Sequence, residues 1–198
     1  MENSQTSLTL LNSLRDPRDE GAWRRFDGCY RPLVIEFARR LGAPEAEAEE
    51  AAQRTMAGVW KTFQDGRYQR SRGRFKNWLL GIARHKLADL LAEQARQPLS
   101  PSQRSSVEAV LACVRDPESV SLVWDRQWTE HVLRRCFEQA RTRCTPRDVR
   151  IFEQLTVAQK PAEEVAAAMR VPIKTVYNVK HRLLTYMREV YRELDEAI

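Results

Sequence analysis

Glycine is scarce, seven in 198 residues, and the alternating apolar and polar runs that build half-buried strands are nearly absent. Leu, Ala, Arg and Glu dominate instead, so the expected fold is all-α. Four cysteines, Cys29, Cys113, Cys136 and Cys144, show no CxxC spacing. That argues against a zinc knuckle or a disulfide framework and leaves reduced thiols as the expectation. His85, His131 and His181 form no metal-ligand motif, and neither a glycine-rich phosphate loop nor a nucleophile motif occurs. No catalytic residue, metal or cofactor is therefore expected, and the chain does not read as an enzyme. The longest apolar runs fall far short of a membrane span, and the opening MENSQTSLTLLNSLRD lacks a basic start and a signal-peptide core. A cytoplasmic protein with no membrane partner is the resulting expectation.

What the chain does have is charge. Asp, Glu, Lys and Arg make up 30% of it, the net charge is +6, and the mean hydropathy is −0.58. A basic balance permits a polyanionic partner without proving one. The stretch Gly66–Ala95 organises the rest: a basic, aromatic-bearing loop runs into a long amphipathic helix. Phe75, Trp78, Leu79, Ile82, Ala83, Leu87, Leu90 and Leu91 recur at helical spacing and form its apolar stripe. Arg67, Arg70, Arg72 and Arg74 precede the helix, with Tyr68 and Gln69 among them. Guanidinium groups neutralise phosphates, and an aromatic ring gives an unstacked base a platform. Lys76, Asn77, Arg84 and His85 fall on the opposite side of the helix from the stripe. A solvated basic loop ahead of a core helix is the plainer reading, but loop and face together favour nucleic acid.

Before this stretch the pattern predicts a short helix over Ser7–Leu14, a second over Asp19–Leu41 capped by Gly42, and a third over Pro44–Phe63. The third carries Glu45, Glu47, Glu49 and Glu50 before any basic residue. The helix dipole explains acidic residues there, yet this is the one strongly acidic patch of a basic region and also reads as a docking face for a basic protein. Ala51, Ala52, Met56, Val59, Trp60 and Phe63 supply its expected packing side. After it, RQPLSPSQRSS reads as a linker, with a short helix hinted by Val107, Val110, Leu111 and Val114. The expected division is thus a first domain over 1–96, a linker over 97–117 and a second domain over 118–198. The second domain starts with a helix to about Arg143, then Thr145-Pro146 as a cap with proline at the first helical position. A short helix, Pro161–Met169, a tight turn at Arg170-Val171-Pro172 and a longer helix from Ile173 follow with helix-turn-helix spacing. The last helix exposes Lys174, Tyr177, Asn178 and His181 on one side, with Lys180 and Arg182 beside them.

In this order the stretches resemble a sigma factor of the extracytoplasmic-function type, in the sigma-70 family. AEEAAQRTMAGVWKTF resembles the helix that binds core RNA polymerase, GRFKNWLLGIARHKLADLL the helix after the minus-ten specificity loop, and PAEEVAAAMRVPIKTVYNVKHRLL the helix-turn-helix that reads the minus-thirty-five element. The resemblance implies two helical domains and a transcription initiation factor. Its partners would be the clamp helices of core RNA polymerase, through Glu47, Glu49, Glu50, Gln53 and Arg54, and promoter DNA. At the minus-ten element it implies Arg67, Tyr68, Gln69, Arg70, Arg72, Arg74, Lys76, Asn77, Arg84 and His85. At the minus-thirty-five element it implies Lys174, Thr175, Tyr177, Asn178, His181 and Arg182. An anti-sigma factor and a Ser/Thr kinase are the further partners considered. Arg54 stands where the pattern has a second acid, Met56 where it has an aromatic, Arg170 where it has the turn glycine, and Pro172 where it has a capping serine. Arg54 suggests a switch in which phosphate on neighbouring Thr55 restores the missing negative charge. The alternative is a plain Glu50–Arg54 pair along the helix. Two other functions compete: a helix-turn-helix regulator that never joins polymerase, and a sigma-like interaction protein that does not support initiation.

Overall fold

The apolar stripes read from the sequence all become helix. The computed structural model describes residues 7–16, 18–69, 71 and 73–195, and among these no strand occurs. They separate into two compact units, 7–130 and 131–195. The chain is all-α.

In the first unit α1 (Ser7–Ser13) leads to α2 (Glu20–Arg40), α3 (Glu45–Gln64), α4 (Phe75–Ala95) and α5 (Pro101–Arg115). Asp19 caps α2 by accepting from the Ala22 N–H at 2.8 Å. The helix runs on through Pro32 and buries Phe26, Tyr30, Leu33, Val34 and Phe37 on one side. Gly42 ends it at φ +97°, where the Ala43 N–H bonds back to the Ala38 carbonyl at 3.1 Å. A side chain at Gly42 would be strained, and its Cβ would sit 3.3 Å from Val110 Cγ2 of α5. α3 and α4 bury Val59, Phe63, Phe75, Leu79, Leu87 and Leu91 against this core. Phe75 meets Phe26 and Tyr30 edge-on, with centroids 6.0 and 5.2 Å away.

The expected linker is mostly helix. Ser100 and Gln103 form a reciprocal capping box at the start of α5, with Pro101 at its first position. Val110, Leu111 and Val114 are buried, and burying each stabilises the docked helix by about 1.5–3 kcal/mol. The next helix, α6 (Pro117–Arg141), contributes its first half to this unit. There Trp124 packs edge-on against Phe37 at 5.1 Å, and Trp128 lies stacked on Tyr30 at 6.2 Å. The first unit therefore extends to Glu130, beyond the residue 96 read from the sequence. All five tryptophans, at 23, 60, 78, 124 and 128, fall within it.

The second unit holds the rest of α6, then α7 (Pro146–Thr156), α8 (Ala162–Met169) and α9 (Ile173–Asp195). Thr145 caps α7 through the Asp148 N–H at 3.2 Å. Ala140, Ile151, Phe152, Val165, Val176, Val179 and Leu183 form its core, with Met169, Val171 and Met187 packed at the edge. Arg170 closes α8 in the left-handed conformation, φ +51° and ψ +53°. A Cβ there is crowded by the following carbonyl, which glycine avoids. Arg170→Gly should accordingly stabilise this unit by about 1 kcal/mol, read as a higher urea midpoint in circular dichroism.

His131 is buried where the second unit begins. Burial, with Arg135 and Arg134 nearby, pushes its pKa down to about 4. The unfolded chain takes the proton near the ordinary value of 6.5, so stability is full above that pH and falls as pH drops toward 4. Between about pH 7.5 and about pH 5 the loss should reach about 2 kcal/mol. A His131→Phe chain should lack this part of its acid sensitivity when the two are compared by urea denaturation.

Candidate nucleic-acid interfaces

The acidic cluster of α3 divides into two faces. Glu47 accepts a hydrogen bond from Gln94 Nε2 of α4 at 2.9 Å. Glu50 takes the Arg54 guanidinium at 2.7 Å, and Arg54 also reaches Glu93 of α4 at 2.8 Å. Both carboxylates hold the Arg54 pKa above its usual value through these hydrogen bonds. Glu47, Glu50 and Arg54 thus tie α3 to α4. Glu49 and Gln53 face solvent, one turn apart. Trp60, expected in the packing side, is 48% exposed and continues the same face two turns on, its edge against Trp23 at 6.4 Å. Positions 49, 53 and 60 share a helical face by spacing alone, so this part was readable.

Thr55 is fully buried, and its hydroxyl donates to the Ala51 carbonyl at 2.7 Å. The pair along the helix, Glu50 with Arg54, is formed.

The loop between α3 and α4 turns through Gly66 and Gly73, both at positive φ. Arg67, Gln69 and Arg74 are exposed on it; Arg67 lies 3.4 Å from Asp65. Arg70 and Arg72 fall outside the described residues. Tyr68 differs from the open platform expected of it. Its ring is buried among Phe63, Trp78 and Phe75, with centroids at 5.0, 4.6 and 6.0 Å. Apolar enclosure wins over the polar loop around it, because three rings are there to receive it.

On α4, Asn77 and His85 are exposed, the latter 3.4 Å from Asp89. Lys76 and Arg84, the neighbours of these two residues in sequence, are engaged within the unit. Lys76 Nζ meets Asp125 of α6 at 2.7 Å. Arg84 donates to the Val114 and Arg115 carbonyls at the end of α5, each at 2.9 Å.

In the second unit Val176, Val179 and Leu183 turn α9 inward, which leaves Lys174, Tyr177, Asn178, Lys180, His181 and Arg182 exposed and Thr175 half-buried. Arg182 is held by Asp148 of α7 at 2.6 Å. The result is a polar, cationic helix face beside a short first helix, the geometry that fits a major groove.

The architecture is a helical unit with an acidic-aromatic face and a basic loop, followed by a helix-turn-helix. Residues 28–97, from within α2 to just past the end of α4, match the family described as Sigma-70 region 2. The chain is also similar to the ECF RNA polymerase sigma factor RpoE of Cereibacter sphaeroides, 34% identical over 91 residues, 46% of this chain and 49% of that protein. It thus spans about half the length of the curated relative it matches. Its first unit carries a sigma-70 region 2, and through it the chain is related to the extracytoplasmic-function sigma factors. No described helix is long and apolar enough to cross a membrane.

Proposed function

We propose that this chain is a transcription initiation factor that joins core RNA polymerase and directs it to promoters. The observation that carries the reading is the Sigma-70 region 2 match over residues 28–97, followed in the same chain by a helix-turn-helix with an exposed cationic face. In this reading the first unit docks the polymerase clamp helices through the solvent face of α3, Glu49 and Gln53, now joined by Trp60. The loop arginines, with Asn77 and His85, hold a strand of the opened minus-ten element. Stacking through Tyr68 would require that ring to leave its pocket. The second unit reads the minus-thirty-five duplex with Lys174, Thr175, Tyr177, Asn178, His181 and Arg182. Single-strand capture suits a loop with cations, and duplex reading suits a rigid helix.

An anti-sigma factor remains a proposed partner. A kinase acting on Thr55 would need α3 to open locally, since the hydroxyl is sealed and bonded. The Glu50–Arg54–Glu93 cluster accounts for Arg54 without a phosphate. Run-off transcription with bacterial core polymerase on a promoter library tests the main reading. Specific transcripts dependent on the added chain are expected; polymerase binding without transcripts would favour the sigma-like interaction protein, and DNA binding without polymerase the plain regulator.

A further inference from the structure

Two cations that face away from the apolar stripe of α4 are covered by the segment that follows it. Lys76 is bridged to Asp125 at 2.7 Å and only 23% of its side chain is exposed. Arg84 supplies the hydrogen-bond donors that the last carbonyls of α5 would otherwise lack, at Val114 and Arg115. Asp116, the residue after those carbonyls, caps the start of α6 by accepting from the Ser119 N–H at 3.1 Å, and its pKa is held low by hydrogen bonds from the Ser119 hydroxyl and the Ser119 and Glu118 N–H groups and by the Arg84 charge. Val110, Val114, Val120, Trp124 and Trp128 bury the inner side of the segment. A flexible tether needs none of this.

We propose that α5 and the first half of α6 form an autoinhibitory clasp, which folds back on α4 and withholds Lys76 and Arg84 from the backbone of single-stranded DNA. The proposal rests on the nucleic-acid reading of the first unit. DNA phosphates compete for the same two cations, Lys76 against Asp125 and Arg84 against the helix-end carbonyls. The segment that blocks access is held by those cations as well as by its apolar side, so strand binding and clasp release are linked equilibria. Free chain therefore binds single strands weakly, and anything that draws 101–130 away strengthens binding.

The test measures binding of a mixed-sequence single-stranded DNA oligonucleotide to the full chain by fluorescence anisotropy across a salt series. Asp125→Asn should tighten binding by about twofold to fivefold, the range a partly exposed ion pair supports. It should also steepen the salt dependence by about 0.7 in slope as one more phosphate is neutralised. Glu118→Gln, the same charge change on an exposed residue of α6, controls for net charge and should do much less. In a Lys76→Gln background the gain from Asp125→Asn should vanish. Hydrogen exchange on unmodified protein gives a second readout: saturating oligonucleotide should speed exchange over 101–130. Asp125→Asn no tighter than Glu118→Gln, or slower exchange over 101–130 with DNA bound, overturns the clasp while the sigma reading stands. If no variant binds single strands and run-off transcription also fails, the underlying reading falls and the clasp with it.

Discussion

A chain carrying Glu49→Lys, Gln53→Lys and Trp60→Ala is expected to lose at least about 30-fold in affinity for core RNA polymerase, with helix content unchanged. The magnitude follows from the behaviour of interface tryptophans, which often cost about 2 kcal/mol or more on truncation, with one charge reversal at Glu49 and one new positive charge at Gln53 added on the same helix face. Glu49 and Gln53 face solvent, and Trp60 is half exposed with its edge on Trp23, so only the tryptophan change costs the fold any packing. Glu47→Gln and Glu50→Gln make the informative contrast. These carboxylates serve Gln94 and Arg54 inside the unit, and their loss should cost stability by a few tenths of a kcal/mol each rather than polymerase affinity. Biolayer interferometry against immobilised core enzyme measures both sets. Wild-type affinity in the triple variant would remove α3 as the docking face.

On α9, Asn178→Ala or His181→Ala should cost about 1–3 kcal/mol on the preferred duplex and much less on others, flattening specificity. Lys174→Ala should behave differently, weakening all duplexes alike and lowering the salt slope by about 0.9. The distinction follows from placement: Asn178 and His181 lie mid-face with short, directional donors, whereas a lysine ammonium reaches phosphate as a point charge. Selection from randomised duplexes, repeated at two salt concentrations, separates the two behaviours. If Asn178→Ala and His181→Ala both keep the wild-type preference, α9 is not the reading helix.

Helix positions and the apolar sides of most helices were legible because both follow from spacing within one segment. Gly42 and Thr145-Pro146 were legible for the same reason, each being a local requirement of the backbone, whereas Arg170 was marked only by the resemblance, which has a turn glycine there. Partners of long cationic side chains were not. Lys76 and Arg84 fall on a polar helix face, and only the fold reveals that α5 and α6 arrive there. Tyr68 shows the converse, a ring in a polar loop drawn into three others. Reading 97–117 as linker missed a local signal: Ser100-Pro101-Ser102-Gln103 before Val107, Val110, Leu111 and Val114 is a capping box ahead of a helical stripe. Its serines and prolines suggested a tether, but at a helix start they are stabilising.

Confinement of every tryptophan to residues 23–128 makes the two halves of the molecule spectroscopically distinct. Indole emission excited beyond the tyrosine band reports residues 7–130 alone, while Tyr177, Tyr186 and Tyr191 belong to the other half. Coincident indole and far-ultraviolet transitions would mean that both halves unfold as one; separated transitions would assign a stability to each without cutting the chain. Release of Trp124 and Trp128 from their aromatic surroundings would also redden the emission, so an unlabelled protein carries its own optical gauge for the position of its α6 segment.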